Sequence, residues 1–331
     1  MSKGNLKLQF VKAIEKAGIF SLSRRFFTSR SRGLLYHRFS VHARDGFVSQ
    51  EKFKKQVAFA LMNFGILFPD KLFQDIDRLG NGVVITVDDG YRDFYEVAYP
   101  VLREFEVPAI VYLSTDFIDG KTWLWFDKLD YILQNSGKTE FPFDIYGSGI
   151  FQRTSWSQVL ERLKAVRTEE RDAQLTALSE YLKIKVPYEP PDDYAPLSWE
   201  QIREMSEKGI AFGSHTCSHP ILTQSELETA RFEIQHSKER IEKELGKGVI
   251  SISYPNGAYN EEITQMVKEA GYEYAFGTHY GLISQKDDRY TLNRLAIGDR
   301  RMVYFRQDLC GVDILKNCIR GNSWRKGRDS N

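Results

Sequence analysis

The stretch Val83-Val84-Ile85-Thr86-Val87-Asp88-Asp89-Gly90 joins a largely β-branched, apolar run to two adjacent carboxylates and a glycine. Such a run favours a strand, and its lack of alternation indicates burial on both faces, as in a parallel sheet. In parallel sheets and barrels, ligands bind at the carboxyl ends of the strands. The stretch therefore predicts a buried parallel strand that delivers two carboxylates to a functional site.

A second stretch, Gly213-Ser214-His215-Thr216-Cys217-Ser218-His219-Pro220, follows another short apolar run and carries two imidazoles four residues apart. A spacing of four fits one helical turn and brings both rings to one side. Two imidazoles and one carboxylate form a metal triad with open positions, and a spare carboxylate can serve as a base. Together, the two stretches predict a metal-dependent hydrolase.

Short apolar segments alternate with amphipathic helices along most of the remaining chain. Repeated strand–helix units imply parallel pairing, and about seven of them predict a barrel of the α/β class. Residues 119–196 break this alternation and are too long for a plain connection, so we expect a helical insert there. Residues 299–331 are expected to hold a C-terminal helix and a basic tail.

The predicted insert begins with an aromatic cluster, Trp123-Leu124-Trp125-Phe126. Aromatic rings suit the apolar faces of sugars, and long loops above a barrel often form substrate walls. Trp125 is therefore a candidate substrate-binding residue. The alternative is that Trp123 and Trp125 only pack the insert against the barrel.

Composition limits the classes of function that fit the chain. The 331 residues are 42% hydrophobic and carry a formal net charge of +1, so no global field points to nucleic acid. Three scattered cysteines are too few for a disulfide framework, which favours a reducing compartment. The sequence shows neither a transmembrane span nor the apolar core of a secretory signal, and these features predict a cytoplasmic protein.

Residues 1–32 form a basic segment in which Leu6, Phe10, Val11, Ile14 and Ala17 recur at helical spacing among lysines. A basic amphipathic helix of this kind can lie on an anionic membrane surface. It can equally pack beside the core with a solvated basic face. The sequence leaves both alternatives open. The inner face of the membrane is therefore one of the candidate partners, contacted through this segment.

Three ordered motifs resemble those of the polysaccharide deacetylases (the NodB-homology family). Residues 86–90 resemble the family's T-F-D-D-G motif, and residues 215–220 resemble its H-[ST]-x-x-H-[PS] motif. Residues 254–259, Tyr-Pro-Asn-Gly-Ala-Tyr, resemble the Pro-x-Gly turn of the third motif. The similarity covers roughly residues 33–298 and is greatest to the branch that includes poly-N-acetylglucosamine deacetylases.

The resemblance implies a distorted (β/α) barrel that uses a divalent metal, most often Zn²⁺ and sometimes Co²⁺ or Ni²⁺. It implies that Asp88 is the catalytic base and that the metal ligands are Asp89, His215 and His219. Tyr254 and Pro255 would line the substrate groove. The backbone N–H of Asn256 would stabilise the oxyanion, since Pro255 has no N–H.

Two family features are missing from their usual places. An arginine that orients the base often begins the third motif, but Ser253 occupies that position. Arg294, on a late strand, is a candidate replacement or an ordinary structural arginine. The family's late Leu-x-His, the supposed general acid, has no clear counterpart. His37, at the end of the first strand, and His279, in a predicted loop, are candidates, and each can equally be an ordinary histidine.

The sequence thus predicts removal of N-acetyl groups from an N-acetylhexosamine-containing oligo- or polysaccharide, with lipid-linked glycans among the candidate substrates. Two alternatives stay open at this point. The missing arginine and histidine would suit a catalytically silent carbohydrate-binding barrel. Related barrels also hydrolyse other amides, such as cyclic imides or ureides.

Overall fold

Strands alternate with helices through the computed structural model, which describes residues 3–68, 80–137, 140–142, 150–152 and 156–319. In chain order, the strands of these residues are β1 (Arg32–Tyr36), β2 (Phe39–Ser40), β3 (Val48–Ser49), β4 (Val83–Val87), β5 (Ile110–Leu113), β6 (Glu140–Pro142), β7 (Ile150–Gln152), β8 (Ala211–Ser214), β9 (Ser251–Ser253), β10 (Tyr274–Tyr280) and β11 (Leu292–Ala296).

Seven of these strands form a closed, all-parallel barrel in the order β1-β11-β10-β9-β8-β5-β4. The ring closes where β1 pairs with β4 in a register that runs from Arg32 opposite Val83 to Tyr36 opposite Val87. All five residues of β4 are buried, which explains why its sequence is apolar without alternation. The predicted barrel is confirmed.

The helices of the described residues, in chain order, are α1 (Lys3–Lys16), α2 (Ile19–Phe26), α3 (Gln50–Asn63), α4 (Tyr99–Glu104), α5 (Thr115–Ile118), α6 (Trp125–Asn135), α7 (Trp156–Lys164), α8 (Thr168–Leu182), α9 (Trp199–Glu207), α10 (Leu227–Leu245), α11 (Glu261–Glu269), α12 (Met302–Leu309) and α13 (Val312–Ile319). None of these helices combines the length and the apolar character that crossing a bilayer requires.

Helices α6, α7 and α8 fall within the segment predicted as an insert and share a hydrophobic cluster separate from that of the barrel. Trp125 belongs to this cluster, and the guanidinium of Arg171 lies 4.5 Å from the centre of its ring. Trp123 is also buried, and its Nε1–H donates to the carbonyl of Tyr188 at 3.0 Å. Both indoles therefore pack the interior of the segment.

The N-terminal helices pack against α12 and α13. Leu8, Val11 and Phe20 share a hydrophobic cluster with residues of α12 and α13, and Glu15 forms an ion pair with Arg306. The apolar residues of α1 do not all lie on the packed face. Leu6 and Phe10 are 66% and 64% exposed, because the packed face is centred on Leu8 and Val11 instead. Helix α1 therefore carries a second apolar stripe that faces solvent.

Candidate active site

The polar residues singled out in the sequence converge at the carboxyl end of the barrel. Asp88 and Asp89 follow β4 directly, and His215 follows β8. Ser253 is the last residue of β9, while Arg294 lies in β11. Parallel strands bring their carboxyl ends to one rim, so residues more than 200 positions apart become neighbours.

The backbone separates the two adjacent carboxylates. Asp89 has a φ of 78°, in the left-handed region that few residues other than glycine adopt. The chain turns sharply at this point, and the two side chains have different partners. Oδ1 of Asp89 lies 3.4 Å from Nε2 of His215 and 3.5 Å from Nε2 of His219. One possible ligand atom from each of these three buried residues lies within 4.8 Å of the others.

The orientation of His215 suits metal binding. Its Nδ1 lies 2.7 Å from the carbonyl oxygen of Ser253, which can only accept a hydrogen bond, so Nδ1 carries the proton. The lone pair therefore resides on Nε2, the atom that faces Asp89. Nδ1 of His219 is buried and has no hydrogen-bond partner among the residues that the structure describes. Two imidazoles and one carboxylate with open positions are a donor set suited to a divalent transition metal.

The electrostatics of this cluster separate the two imidazoles. Burial first, and then the charge of His215, lower the pKa of His219 to about 3. Burial also opposes protonation of His215, but Asp88 and Asp89 overcome this effect and raise its pKa. Burial would raise the pKa of Asp89, yet the nearby histidines lower it. Asp89 is therefore ionised and His219 neutral at pH 7, as metal binding requires.

Asp88 is held by an arginine on the opposite side of the chain turn. Arg294 donates Nη1–H to Oδ1 at 2.7 Å and Nη2–H to Oδ2 at 2.8 Å, a bidentate pair that is fully buried. The hydroxyl of Ser253 donates to Oδ2 at 2.9 Å and accepts from Nη2 of Arg294 at 2.8 Å. Burial alone would raise the pKa of Asp88, but Arg294 and then His215 hold it well below its ordinary value.

Arg294 itself is fixed by two further contacts. Its Nε–H donates to the carbonyl of Gly277 at 2.9 Å, and Nη1–H also reaches the hydroxyl of Thr86 at 3.1 Å. The structure thus brings the predicted replacement arginine onto Asp88, although the arginine comes from β11 instead of the third motif. Ser253, where the family's arginine would be, completes the same network.

The remaining candidates lie around the rim. His37 is exposed directly after β1, and its charge lowers the pKa of both Asp88 and Asp89. The sequence places His279 in a loop, but β10 extends to Tyr280, so this exposed histidine lies on a strand beside Tyr259. Asn256 is exposed in a turn after β9, with a φ of 57°.

The three residues predicted to bind substrate are buried. Tyr254 is 0% exposed, and its hydroxyl donates to the carbonyl of Tyr290 at 3.0 Å. Pro255 is buried in the turn, and Trp125 is 5% exposed. These side chains present no open face to a sugar in this structure, because they pack in the barrel core or within the insert.

Two neighbours of the site were not recognised in the sequence. The ring of Phe126 lies 5.3 Å, edge to face, from that of His219. Asp127 accepts a hydrogen bond from the hydroxyl of Tyr91 at 2.6 Å, and burial raises the pKa of Asp127 to about 7. The run Trp125-Phe126-Asp127, in which a carboxylate follows two aromatic residues, is the sequence feature that could have indicated these two neighbours.

Comparison with known proteins agrees with this arrangement. Residues 76–275 match the sequence model of the polysaccharide deacetylases. The chain belongs to the polysaccharide deacetylase family. It is 32% identical over 226 residues to YxkH of Bacillus subtilis, a polysaccharide deacetylase by name, and the match covers 68% of this chain. The chain spans only 55% of the length of that relative.

More distant relatives share the architecture. The chain is 20% identical over 256 residues to a poly-β-1,6-N-acetyl-D-glucosamine N-deacetylase of Staphylococcus aureus. This match covers 76% of this chain and 68% of that protein. Among solved structures, the Streptococcus pyogenes deacetylase PplD in complex with acetate is similar, with a TM-score of 0.56 and 20% identity. That match covers 82% of this chain and 93% of PplD and supports the shared fold.

Proposed function

We propose that this protein is a metal-dependent hydrolase that removes N-acetyl groups from an N-acetylhexosamine-containing glycan. One observation carries the proposal: a carboxylate held by an arginine adjoins a three-ligand cluster. Oδ2 of Asp88 lies 3.9 Å from Nε2 of His215. A base and a metal site this close can act on one water molecule, which is what hydrolysis of an unreactive amide needs.

In this proposal, Asp89, His215 and His219 hold the ion, for which Zn²⁺ is favoured and Co²⁺ or Ni²⁺ are alternatives. Such an ion, when bound, polarises an amide carbonyl and lowers the pKa of water. Asp88 accepts a proton from the water whose oxygen attacks the acetyl carbon. Arg294 keeps Asp88 ionised and oriented for that transfer, although it also makes the carboxylate a weaker proton acceptor.

The remaining steps use residues at the rim. The backbone N–H of Asn256 donates to the oxyanion, which is the acetyl carbonyl oxygen after water has attacked the carbon. As the C–N bond breaks, the amine nitrogen takes a proton from a general acid, and the products are acetate and a free amino sugar. His37 is the candidate acid, because it follows β1 at the same rim, next to Tyr36, whose carbonyl accepts a hydrogen bond from the N–H of Asp88 at 3.0 Å. His279 is the second candidate.

The relatives support a proposal for the substrate. The Staphylococcus aureus relative is named for poly-β-1,6-N-acetyl-D-glucosamine, and we propose an N-acetylglucosamine-containing glycan for this chain. We further propose that α1 and α2 contact an anionic membrane surface, which would favour a lipid-linked glycan. Leu6 and Phe10 on α1 and Leu22 and Phe26 on α2 are all more than 60% exposed. Exposed lysines, including Lys12 and Lys16, supply the complementary charge.

Flotation with lipid vesicles tests the membrane contact. The protein should float with vesicles that contain phosphatidylglycerol and stay behind with pure phosphatidylcholine. The double variant Leu6→Ser/Phe10→Ser should lose binding. Val41→Ser is the matched control, because Val41 is 59% exposed but lies outside the two helices. Equal flotation of the double variant and the control would contradict the contact.

Acetate release tests the activity. The protein loaded with Zn²⁺ or Co²⁺ should release acetate from N-acetylglucosamine oligomers, and a chelator or His215→Ala should abolish the release. A silent carbohydrate-binding barrel would bind the oligomers without releasing acetate. An enzyme for another amide would instead hydrolyse a cyclic imide or ureide included in the same assay. Either of these results would overturn the proposal.

A further inference from the structure

In the loop that joins the two candidate histidine ligands, the backbone N–H groups are held by side chains. Four consecutive backbone N–H groups each donate to a side-chain oxygen, and the hydroxyl of Ser218 donates as well. The N–H acceptors are Ser214 Oγ for Thr216 (3.1 Å), Glu233 Oε2 for both Cys217 (2.7 Å) and Ser218 (3.0 Å), and Thr216 Oγ1 for His219 (3.2 Å). Ser218 Oγ donates to Glu233 Oε1 at 2.5 Å. Glu233 therefore makes three of these five contacts.

The loop backbone needs such support. Thr216 has a φ of 67° and His219 a φ of 59°, both in the left-handed region. A β-branched residue and a metal-ligand candidate in this region each cost free energy, and such conformations persist only where the surroundings impose them. On its other side, the loop carbonyls of Thr216 and Cys217 accept hydrogen bonds from the N–H groups of Thr115 and Asp116, at 3.1 and 2.8 Å.

Glu233 stands out on its own helix. It lies on the face of α10 that also buries Ala230, Ile234, Ser237 and Ile241, and it is 6% exposed. A carboxylate on a buried face is costly unless its oxygens accept hydrogen bonds. The contacts that repay this cost all go to the segment between His215 and His219. A carboxylate here holds a loop, whereas an apolar residue would only fill the core.

We infer that Glu233 is a positioning residue for the metal site: its carboxylate sets the loop conformation that points His219 toward Asp89 and His215. The inference rests on the metal site of the proposed function and assigns no chemical step to Glu233. Removing the carboxylate leaves the N–H groups of buried Cys217 and half-buried Ser218 without their acceptor. The loop would relax from its left-handed conformations, and His219 would leave the ligand cluster.

Metal affinity of the full chain is the direct test. Glu233→Ala should weaken Zn²⁺ and Co²⁺ binding by about 10- to 100-fold, the usual loss when an outer partner of a ligand is removed. Competition with a chromogenic chelator gives the affinity, and the visible spectrum of the Co²⁺ form reports the geometry of the ligands. Glu239→Ala is the matched control, because Glu239 is an exposed glutamate of the same helix.

Glu233→Gln tests the contact without a large packing change. Its amide oxygen can still accept from both N–H groups, so it should restore the Co²⁺ spectrum and most of the affinity. If Glu233→Ala does not fold, Ser218→Ala, which removes the Oγ contact, should still alter that spectrum. Wild-type affinity and an unchanged spectrum in Glu233→Ala would overturn the inference. A wild-type protein that binds metal but releases no acetate would overturn the proposed function and leave Glu233 in place.

Discussion

Asp88 and Asp89 are neighbours in sequence, but the basic groups that face their carboxylates differ in kind. On the Asp88 side, a buried arginine forms two hydrogen bonds to the carboxylate, and a serine adds a third. On the Asp89 side, the ion-pair partners among the described residues are two imidazoles, at 3.4 and 3.5 Å. A guanidinium keeps its charge at any ordinary pH, whereas an imidazole can exchange a proton for a metal.

This difference assigns separate work to two chemically identical side chains. The charge of Asp88 is balanced permanently by protein groups, so the carboxylate can stay fixed and ionised. The charge of Asp89 is balanced by groups whose own charge depends on protons or on a bound cation. The left-handed turn at Asp89 makes the separation possible, because it directs the two side chains to different partners.

The sharpest test replaces each carboxylate by its amide. Asp89→Asn should lower metal affinity by more than the roughly 10- to 100-fold typical of outer-shell partners, because a charged ligand is lost. Asp88→Asn should keep the metal and lower kcat by about 10²- to 10⁴-fold, the range for loss of a general base. Metal content and acetate release, measured on the same samples, separate the two. Loss of metal from Asp88→Asn would contradict the division of roles.

Arg294→Met probes the Asp88 side alone. Removing one partner of a buried ion pair leaves an uncompensated charge, so we expect a loss of about 3–5 kcal/mol in the free energy of unfolding at pH 7. Urea unfolding of metal-free protein measures it. The double variant Asp88→Asn/Arg294→Met should recover part of the loss, since neither charge of the pair remains. Additive losses would show that the two groups are not coupled.

Arg294→Met should also change how activity depends on pH, in a direction that the pKa of Asp88 determines. Arg294 holds the pKa of Asp88 below its ordinary value, so in the wild type the pair stabilises the fold above about pH 4, the unfolded pKa, and loses this contribution as pH falls through the folded pKa. Without Arg294, burial raises the pKa of Asp88. The acidic limb of the kcat/KM profile should therefore move to higher pH, and an unchanged limb would argue against Asp88 as the base.

The sequence predicts the barrel and the metal-ligand candidates because their signals are local. A β-branched run followed by two carboxylates, and two imidazoles four residues apart, are each readable within eight residues. The partner of Asp88 is less certain from sequence. Arg294 is 206 positions away, and its contact with Asp88 depends on closure of the barrel through β11. Ser253 reads as a missing arginine, yet it bonds to both members of the pair.

Which aromatic side chains are buried is difficult to predict from the sequence. Trp125 and Tyr254 are of the residue types that line sugar sites, but spacing does not say which face of a turn or helix packs inward. Helix α1 shows the same limit, since apolar residues lie on two of its faces and only one is packed. Glu233 was missed because its signal is an exception, a carboxylate on an otherwise buried helical face.

Ser253→Ala should weaken catalysis without affecting the metal. The hydroxyl is lost from Asp88, and hydrogen bonds to charged groups contribute about 1.5–3 kcal/mol, so kcat should fall roughly 10- to 100-fold. The backbone carbonyl that fixes His215 remains, so metal affinity should equal that of the wild type. Ser23→Ala, which removes a buried hydroxyl of α2 that donates to the carbonyl of Cys310, is a control for loss of a hydroxyl. Equal losses of affinity and rate in Ser253→Ala would contradict the separation of the two sides.

The smallest expected effect measures how strongly the two sides communicate. Asp88 and Asp89 together raise the pKa of His215, while His219 titrates near pH 3. Metal binding should therefore displace the proton of His215 wherever that residue is protonated, and affinity should fall as the pH is lowered. Calorimetry in two buffers with different ionisation enthalpies counts that proton.

Asp88→Asn should reduce the proton count, because a charge 3.9 Å from Nε2 of His215 no longer favours its protonated form. His236→Gln is the control, since His236 is half exposed and lies beside Glu239, outside the site. An unchanged count in Asp88→Asn would mean that Asp89 alone sets the protonation of His215. The base and the ligand set would then be independent in charge as well as in their hydrogen-bond partners.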